Sequence, residues 1–258
     1  MKRFIQFLGK KFIQFFSELG EYSRMMSQVI LSLGRVFKDR RLIVDQMLHV
    51  GVNSLVLVGI IGLFTGAVSC WQAAYQIKGL ISFSYLGSAT TKAIIIELGP
   101  VLTAIVLAGR VGASMAAELG TMKVTEQIDA LESMAISPHR YLAMPRITAT
   151  TIMLPILVVY SSTIAIFGSY SVATFFLGVP SDTFLSGFKK AFEAKDVFAA
   201  TVKALFFGLS ISSIGCFIGF QTSGGAEGVG LSTIKAFVIA AASILILDYV
   251  LWNFLIGM

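Results

Sequence analysis

Five long apolar stretches constrain this chain more than any other feature of its sequence. They cover residues 52–77, 86–109, 148–177, 197–220 and 234–257. Each exceeds the roughly 20 residues that an α-helix needs to cross the hydrocarbon core of a membrane, and a soluble domain of this length could not bury them all. The sequence predicts an all-α integral membrane protein with five transmembrane helices. Residues 51–258 then form one five-span domain, and residues 1–50 form an N-terminal helical region.

The N-terminal region begins with an amphipathic segment, residues 2–16. On a helix, its apolar side chains gather on one side: Phe4, Ile5, Leu8, Phe12, Phe15 and Phe16. Most of its lysine, arginine and glutamine side chains occupy the other side. This pattern predicts a helix that lies in the membrane interface with its cations near anionic headgroups. A helix packed on a partner protein is the alternative.

The basic residues are distributed unevenly between the two sides of the predicted bundle. The N-terminal segment and the loops after spans two and four carry fourteen lysines and arginines, whereas the opposite side carries six. Cytoplasmic segments of membrane proteins carry the excess of basic residues. We therefore expect a cytoplasmic N-terminus and a C-terminus on the opposite side. Membrane anchoring explains the basic balance, so no nucleic acid partner is expected.

Residues 97–146 combine features that a simple span does not need. Glu97 lies inside an apolar run, and Pro100 cannot donate a hydrogen bond to the carbonyl of Ile96. An acid at this depth faces protein or a wet cavity, so Glu97 either lines a polar point in a substrate path or is a structural acid between helices. Four small residues spaced four apart predict a face for close helix packing: Ala108, Gly112, Ala116 and Gly120.

The segment Thr121–Ser137 predicts a short amphipathic helix outside the membrane. It has an apolar stripe at Val124, Ile128, Leu131 and Ala135. An acidic edge accompanies the stripe, formed by Glu126, Asp129 and Glu132. A helix meant for anionic lipid would be basic, so we favour docking on a partner protein over packing along the membrane surface.

Two opposite charges in the last two spans lie at similar depths. Lys203 is about 9 Å inside span four and Asp248 about 13 Å inside span five, counted from the same side at 1.5 Å per residue. Consecutive antiparallel helices are usually neighbours, so we expect an intramembrane ion pair between Lys203 and Asp248. The alternative has Lys203 reaching to the interface while Asp248 is protonated or bonded to a hydroxyl; Lys92 is the next partner to consider.

Several kinds of chemistry find no support in the sequence. There is no GxxxxGK[ST] phosphate loop, and the glycine-rich residues 224–230 predict a flexible turn. The two histidines lie in different segments, so no metal site is expected. Cys70 and Cys216 sit in apolar runs and are expected to be small buried residues without redox function. We therefore expect a protein that is not itself an enzyme and binds no cofactor directly.

The ordered motifs of residues 97–146 resemble the signature of MlaE-type permeases. They are ELGP at 97–100, AGR at 108–110, AELG at 117–120, EQ at 126–127 and PR at 145–146. The arrangement of spans agrees with this family over nearly the whole chain. MlaE-type permeases are the membrane subunits of ABC systems that move phospholipid in relation to the outer membrane of Gram-negative cells.

The resemblance implies a homodimer in the inner membrane with several partners. A cytoplasmic ABC ATPase pair, which would hold ATP and Mg, would dock on Thr121–Ser137 as its coupling helix. A STAS-domain protein would bind the ATPase, and an MCE-domain hexamer would sit on the periplasmic side. Residues expected to couple to the ATPase are Glu118, Thr125, Glu126, Gln127, Asp129 and Glu132.

The resemblance also implies a phospholipid cavity at the dimer interface near Glu97. The end of span one mixes aromatic and polar groups, which suits a ligand with a charged head and apolar tails. An ordinary aromatic belt is the alternative. The expected lipid-binding residues are Trp71, Gln72, Tyr75, Gln76, Ile77, Leu80, Glu97 and Leu98.

Two other functions compete with an ABC permease. A secondary transporter is expected to show inverted repeats and broken helices in matching halves, and five spans do not divide in that way. A membrane anchor for a signalling complex needs no polar residue inside the membrane, so Glu97 and Asp248 count against it.

Overall fold

A computed structural model describes residues 2–35, 38–78 and 83–255, and these residues form helices without any strand. The helices are α1 Lys2–Ser32, α2 Arg40–Val50, α3 Leu55–Ile77, α4 Leu86–Ala93, α5 Gly99–Leu107, α6 Ala113–Val124, α7 Gln127–Ser133, α8 Met144–Phe175, α9 Ser181–Ala191, α10 Ala194–Phe220 and α11 Gly225–Leu255. Short 3-10 turns precede α3 and α4.

In the part of the chain that the structure describes, three single π-helical turns interrupt the helices, at Ile94–Leu98, Ala108–Gly112 and His139–Ala143. The first two join α4, α5 and α6 into one continuous rod, which we call the second span. The third leads directly into α8. A π-helical turn contains one extra residue, which rotates the side chains that follow relative to an unbroken helix.

Among the described residues, five helical segments are long and apolar enough to cross a membrane, which confirms the predicted all-α fold with five spans. Most extend further than the apolar stretches indicated, because their polar ends continue as helix beyond the hydrocarbon. The second span reaches Val124 instead of residue 109, and the last begins at Gly225 instead of residue 234. The predicted flexible turn at 224–230 is therefore wrong, since Gly225–Gly230 are the first six residues of α11.

The helix α8 occupies the centre of the bundle, between α3 and α10. At Gly66 of α3 the backbones approach so closely that a Cβ atom there would overlap the carbonyl oxygen of Ala165. Fully buried side chains fill the space around α8, among them Leu154, Leu157 and Phe207. Cys70 and Cys216 are both fully buried and unbridged.

The small-residue face of the second span lies against α10. A Cβ atom on Gly215 would lie 2.7 Å from the carbonyl oxygen of Gly112, and one on Gly219 would lie 3.3 Å from Cα of Ala116. Farther along, a Cβ atom on Gly120 would lie 2.8 Å from Oγ1 of Thr222. Ala108 is fully buried as well. These close approaches fix the second span against α10.

The N-terminal helix is 31 residues long, about twice the predicted amphipathic segment. Its second half packs on the bundle, where Met25 and Val29 are buried and the Tyr22 hydroxyl donates to Oγ of Ser213 at 2.8 Å. Phe12 and Phe16 in the first half are exposed. The side chains of Phe4, Ile5, Leu8 and Phe15 lie outside the described residues, so the structure does not address the expected interfacial face.

The helix α9 was not expected from the sequence. It has few apolar residues, in SDTFLSGFKKA, and this composition is typical of a loop. Phe184 is nevertheless buried, and Oγ of Ser88 on α4 donates to the carbonyl of Gly187 at 2.9 Å. The short helices α7 and α9 mark opposite ends of the bundle, which we call the α7 end and the α9 end.

Candidate functional site: a charged triad beside a groove

The centre of the candidate site is Lys203, whose side chain is fully buried. Its ammonium lies 2.8 Å from Oδ1 of Asp248 and 3.1 Å from Oε1 of Glu97. The structure thus joins the two charges that the sequence pairs and adds Glu97 from the second span. We call Glu97, Lys203 and Asp248 the charged triad.

The second span presents Glu97 through its first π-helical turn, Ile94–Leu98. Pro100 leaves the carbonyl of Ile96 without its usual donor, and Lys203 Nζ lies 3.5 Å from that carbonyl oxygen. The ring centroid of Trp252, one turn after Asp248, is 5.1 Å from the same ammonium, a distance suited to a cation–π contact. The lysine is therefore surrounded by groups that stabilise a positive charge.

One ammonium faces two carboxyl groups in the triad, and the three side chains differ in exposure. Lys203 is fully buried and Asp248 is 19% exposed, whereas the Glu97 side chain is 37% exposed. Pairing removes most of the cost of placing these charges inside a membrane. Glu97 is the most exposed member of the triad and the one that a ligand or water reaches most readily.

A groove of about 370 Å³ runs between α3 and the second span. It brings together Gln72 and Leu98, two of the predicted lipid-binding residues. Apolar side chains and two hydroxyls complete it, from Phe64, Thr65, Val68, Ser69 and Leu102. Such a lining accepts an apolar chain and offers a few polar contacts.

The other predicted lipid-binding residues are placed differently. The ring of Trp71 packs toward that of Phe176, with centroids 6.5 Å apart, so it faces the end of α8. Tyr75 is 83% exposed, Gln76 is exposed and Ile77 is half-buried. Leu80 lies outside the described residues.

The predicted coupling helix is shorter than expected. The second span continues to Val124, the chain turns at Glu126 with a left-handed φ of 61°, and α7 covers only Gln127–Ser133. Ala135 also has a positive φ, of 58°. The prediction of one helix from Thr121 to Ser137 is therefore wrong, because two left-handed residues interrupt it.

The predicted coupling residues fall into two groups. Most lie on or beside α7, where Lys123 Nζ pairs with Asp129 at 2.7 Å, the Gln127 amide donates to Thr125 Oγ1 at 3.0 Å, and Glu132 is exposed. Glu118 lies two turns earlier on α6 and accepts a hydrogen bond from Arg146 at 3.1 Å. The structure therefore separates Glu118 from the α7 surface.

Sequence reasoning missed two ion clusters that hold the ends of the bundle. At the α9 end, Lys92 lies 2.7 Å from Glu193 and 2.6 Å from Asp196, so it is not a partner for Asp248. At the α7 end, Arg140 donates to both carboxylate oxygens of Asp39. Hydrogen bonds from Lys92 and Lys195 lower the pKa of the Glu193 carboxyl to about 2. In the sequence, the opposite charges are the one sign of these pairs, because the two residues of each pair lie about 100 positions apart.

Comparisons with known proteins agree along almost the full chain. The sequence model of the family described as Permease MlaE matches residues 43–254. A probable ABC transporter permease protein of Rickettsia felis is 36% identical over 95% of this chain and 94% of its own length. The intermembrane phospholipid transport system permease protein MlaE of Haemophilus influenzae is 34% identical over 98% of both chains. A probable ABC transporter permease protein of Synechocystis is 38% identical over 88% of this chain and 86% of its own.

Proposed function

Because the chain belongs to the MlaE permease family and is the permease of an ABC system, we propose that its substrate is phospholipid. It would move this lipid between the inner membrane and the periplasmic path to the outer membrane, and so maintain the lipid asymmetry of the outer membrane. The relative from Haemophilus influenzae carries phospholipid transport in its name.

The observation that carries the proposal is the exposure of Glu97. Glu97 lies about 17 Å along the second span from Leu86. At that depth, hydrocarbon would surround a spanning helix that had no neighbours. An ionisable group so placed faces protein or a water-filled cavity. The 37% exposure of Glu97 therefore supports a polar cavity on this face of the bundle.

The groove beside Glu97 supports the choice of a lipid over a small polar solute. Leu98, the residue after Glu97, lines the groove, so the groove and Glu97 occupy adjacent faces of the second span at the same depth. A phospholipid has a charged head and apolar tails, and the charged triad and the largely apolar groove offer matching surfaces.

The partners belong to the same proposal. The sequence contains no phosphate-loop motif, so a separate ABC ATPase pair would hydrolyse ATP with Mg and bind the exposed surface of α7. We place α7 and the N-terminus in the cytoplasm, following the distribution of basic residues. A second copy of the chain would close the cavity, a STAS-domain protein would bind the ATPase, and an MCE-domain hexamer would receive lipid on the α9 side.

Transport measured in vesicles tests this function. The complex that purifies with the chain is placed in vesicles containing a fluorescent phospholipid, and ATP-dependent transfer to acceptor vesicles is followed. We expect Glu97→Gln to slow transfer by about tenfold, which corresponds to 1.4 kcal/mol in activation free energy. Glu227→Gln, at an exposed carboxyl near the start of α11, is the matched control and should transfer at the unsubstituted rate.

The two parts of the proposal fail separately. If the unsubstituted complex transfers no phospholipid with ATP, the proposed substrate is wrong. If it transfers lipid and Glu97→Gln does so at the same rate, phospholipid remains the substrate but the cavity at Glu97 is not its path.

A further inference from the structure

A second polar cavity lies at the α7 end, between α2 and the second span. Its volume is about 190 Å³. Gln46 and His49 of α2 line one wall, and Arg110, Ser114 and Glu118 line the other. We call this cavity the α2 groove. It lies about 20 Å from Glu97 along the helix axis, 13 residues away, and is therefore separate from the charged triad.

The position of Arg110 is fixed by buried groups. It lies in the second π-helical turn, Ala108–Gly112, and its Nη1 donates to Oγ of Ser54. Ser54 is fully buried and donates its own hydrogen to the carbonyl of Val50. A guanidinium has five N–H donors, so this contact leaves donors for a ligand in the groove.

Arg110 also retains its charge for a ligand. No carboxylate of the described residues lies within 4.0 Å of it, unlike Lys203, Arg140 and Arg146. Oriented guanidinium groups bind phosphate through two parallel hydrogen bonds. An oriented arginine without an acidic partner, lining a cavity, is suited to such an anion.

The acid at the other end of the groove does not cancel this charge. Glu118 is paired with Arg146 at 3.1 Å and accepts a hydrogen bond from Ser114 at 3.1 Å. Arg146, which does not line the groove, thus offsets the charge of Glu118, and the charge of Arg110 is left for a ligand. His49 Nε2 lies 3.9 Å from the same carboxylate, on the opposite wall of the groove. The groove as a whole favours an anion.

The depth of the groove matches that of lipid phosphates. The 23 residues of α3 span about 35 Å, enough to cross the roughly 30 Å of hydrocarbon. Ser54 directly precedes α3, so Arg110, which binds it, lies at the boundary between hydrocarbon and water. On α2, Val44 and Leu48 are more than half exposed, so the face of this helix away from the groove is apolar.

We propose that the α2 groove binds a phosphate group, that Arg110 is its principal donor, and that a phospholipid of the leaflet at the α7 end presents it. The groove is too small for the acyl chains, which would extend from it into the surrounding hydrocarbon. This inference does not depend on transport, because it requires only a phosphate at the membrane boundary.

The test captures lipid by photo-crosslinking in the full-length chain. A photoreactive side chain replaces Gln46, and the protein is placed in vesicles with radiolabelled phosphatidylglycerol or radiolabelled diacylglycerol. We expect several-fold more capture of phosphatidylglycerol, since diacylglycerol lacks the phosphate. Arg110→Gln should reduce capture about tenfold, and Arg110→Lys should reduce it less because the charge remains. Arg40→Gln, at an exposed arginine on α2, is the matched control and should leave capture unchanged.

A competition experiment distinguishes a lipid from free phosphate and needs no change at Arg110. Unlabelled short-chain phosphatidylglycerol should displace the captured lipid, whereas inorganic phosphate at the same concentration should not. Equal displacement by inorganic phosphate would overturn the lipid as the source. Equal capture of diacylglycerol and phosphatidylglycerol, or undiminished capture by a folded Arg110→Gln variant, would overturn the phosphate site itself. Should Arg110→Gln fail to fold, the diacylglycerol comparison decides the matter.

Discussion

At the scale of single residues, Lys203 carries the charge balance inside the bundle. Its ammonium is within 3.1 Å of both Glu97 and Asp248. Removing the lysine leaves two carboxyl groups facing each other without a cation. Removing Asp248 still leaves the lysine paired with Glu97. Removing Lys203 should therefore destabilise the protein more than removing Asp248, although each change breaks the Lys203–Asp248 ion pair.

We expect Lys203→Met to lower the free energy of unfolding by about 3 kcal/mol, because it leaves buried charge unpaired. Asp248→Asn should cost about 1 kcal/mol, since Glu97 still faces the lysine. Thermal unfolding in detergent can be followed with a thiol-reactive fluorescent dye, as Cys70 and Cys216 are fully buried until the chain unfolds.

The charge swap Lys203→Asp with Asp248→Lys provides the control for this pair. It should unfold at a higher temperature than Lys203→Met, because it restores opposite charges, although Glu97 then faces an altered partner. Equal unfolding temperatures for Lys203→Met and Asp248→Asn would contradict the central position of the lysine.

The Glu193 carboxyl predicts a dependence of stability on pH at the α9 end. Hydrogen bonds from Lys92 and then Lys195 lower its pKa from 4.5 to about 2. A group with a lowered pKa stabilises the folded state fully above its ordinary pKa, and this contribution is lost as the pH falls toward the lowered value. The unfolding temperature of the unsubstituted protein should exceed that of Glu193→Gln by a constant amount above about pH 4.5, and the difference should shrink between about pH 4.5 and 2.

Lys92→Gln supplies the matched background for this measurement. Since Lys92 is the largest cause of the lowered pKa, adding Glu193→Gln to Lys92→Gln should change the unfolding temperature much less. A difference between the unsubstituted protein and Glu193→Gln that stays constant down to pH 2 would refute the assignment.

At the scale of elements, the sequence predicts the spans well and their interruptions poorly. Apolar composition indicates all five spans, because only hydrocarbon tolerates stretches of that length. It gives no sign of the π-helical turns, whose residues have ordinary helical composition. Each of the three turns nevertheless carries a charged residue that forms a long-range contact: Glu97, Arg110 and Arg140. The membrane depths estimated from the sequence therefore pair Lys203 with Asp248 but do not place Glu97 beside them.

The packing of α3 against α8 gives a prediction for one glycine. A Cβ atom on Gly66 would overlap the carbonyl oxygen of Ala165, so Gly66→Ala should force these two helices apart and lower the unfolding temperature. Gly230→Ala in α11 is the matched control, because its Cβ atom would meet no neighbour within 4 Å. That change should raise helix stability by up to about 1 kcal/mol. An unfolding temperature for Gly66→Ala equal to or above that of Gly230→Ala would contradict the close approach.

At Glu126, in the turn before α7, the effect of the carboxylate charge can be measured separately from the effect of the backbone conformation. Glu126 has a φ of 61°, a conformation that costs a residue with a Cβ atom about 1 kcal/mol and costs glycine little. Glu126→Gly should therefore leave stability unchanged or slightly higher. If the carboxylate contacts the proposed ATPase, both Glu126→Gly and Glu126→Lys should reduce ATPase association and lipid-stimulated ATP hydrolysis.

The comparison between the two variants decides what the turn does. Normal association for Glu126→Gly and reduced association for Glu126→Lys would mean that added positive charge is harmful, whereas the native carboxylate makes no contact. Normal association for both variants would remove this turn from the coupling surface.

At the scale of the whole molecule, the five spans are buried to very different extents. In the most apolar part of α11 only 17% of the residues are buried, against half of those in α10 and in the second span. Membrane helices gain little from burying apolar surface against one another, so exposure of α11 to lipid is tolerated. Asp248 lies on this exposed helix, and its ion pair with Lys203 helps to hold α11 on the bundle.

The three residues of the charged triad are also synthesised at different times. Glu97 leaves the ribosome 106 residues before Lys203, and Asp248 follows 45 residues after the lysine. At about 5–20 residues per second, roughly ten seconds pass between the acid and its cation. During that interval the newborn chain carries an acidic group at a depth where charge costs about 3 kcal/mol. Because Lys203 lies on α10, a chain released before α10 is made keeps the Glu97 carboxyl group inside the membrane without its cation.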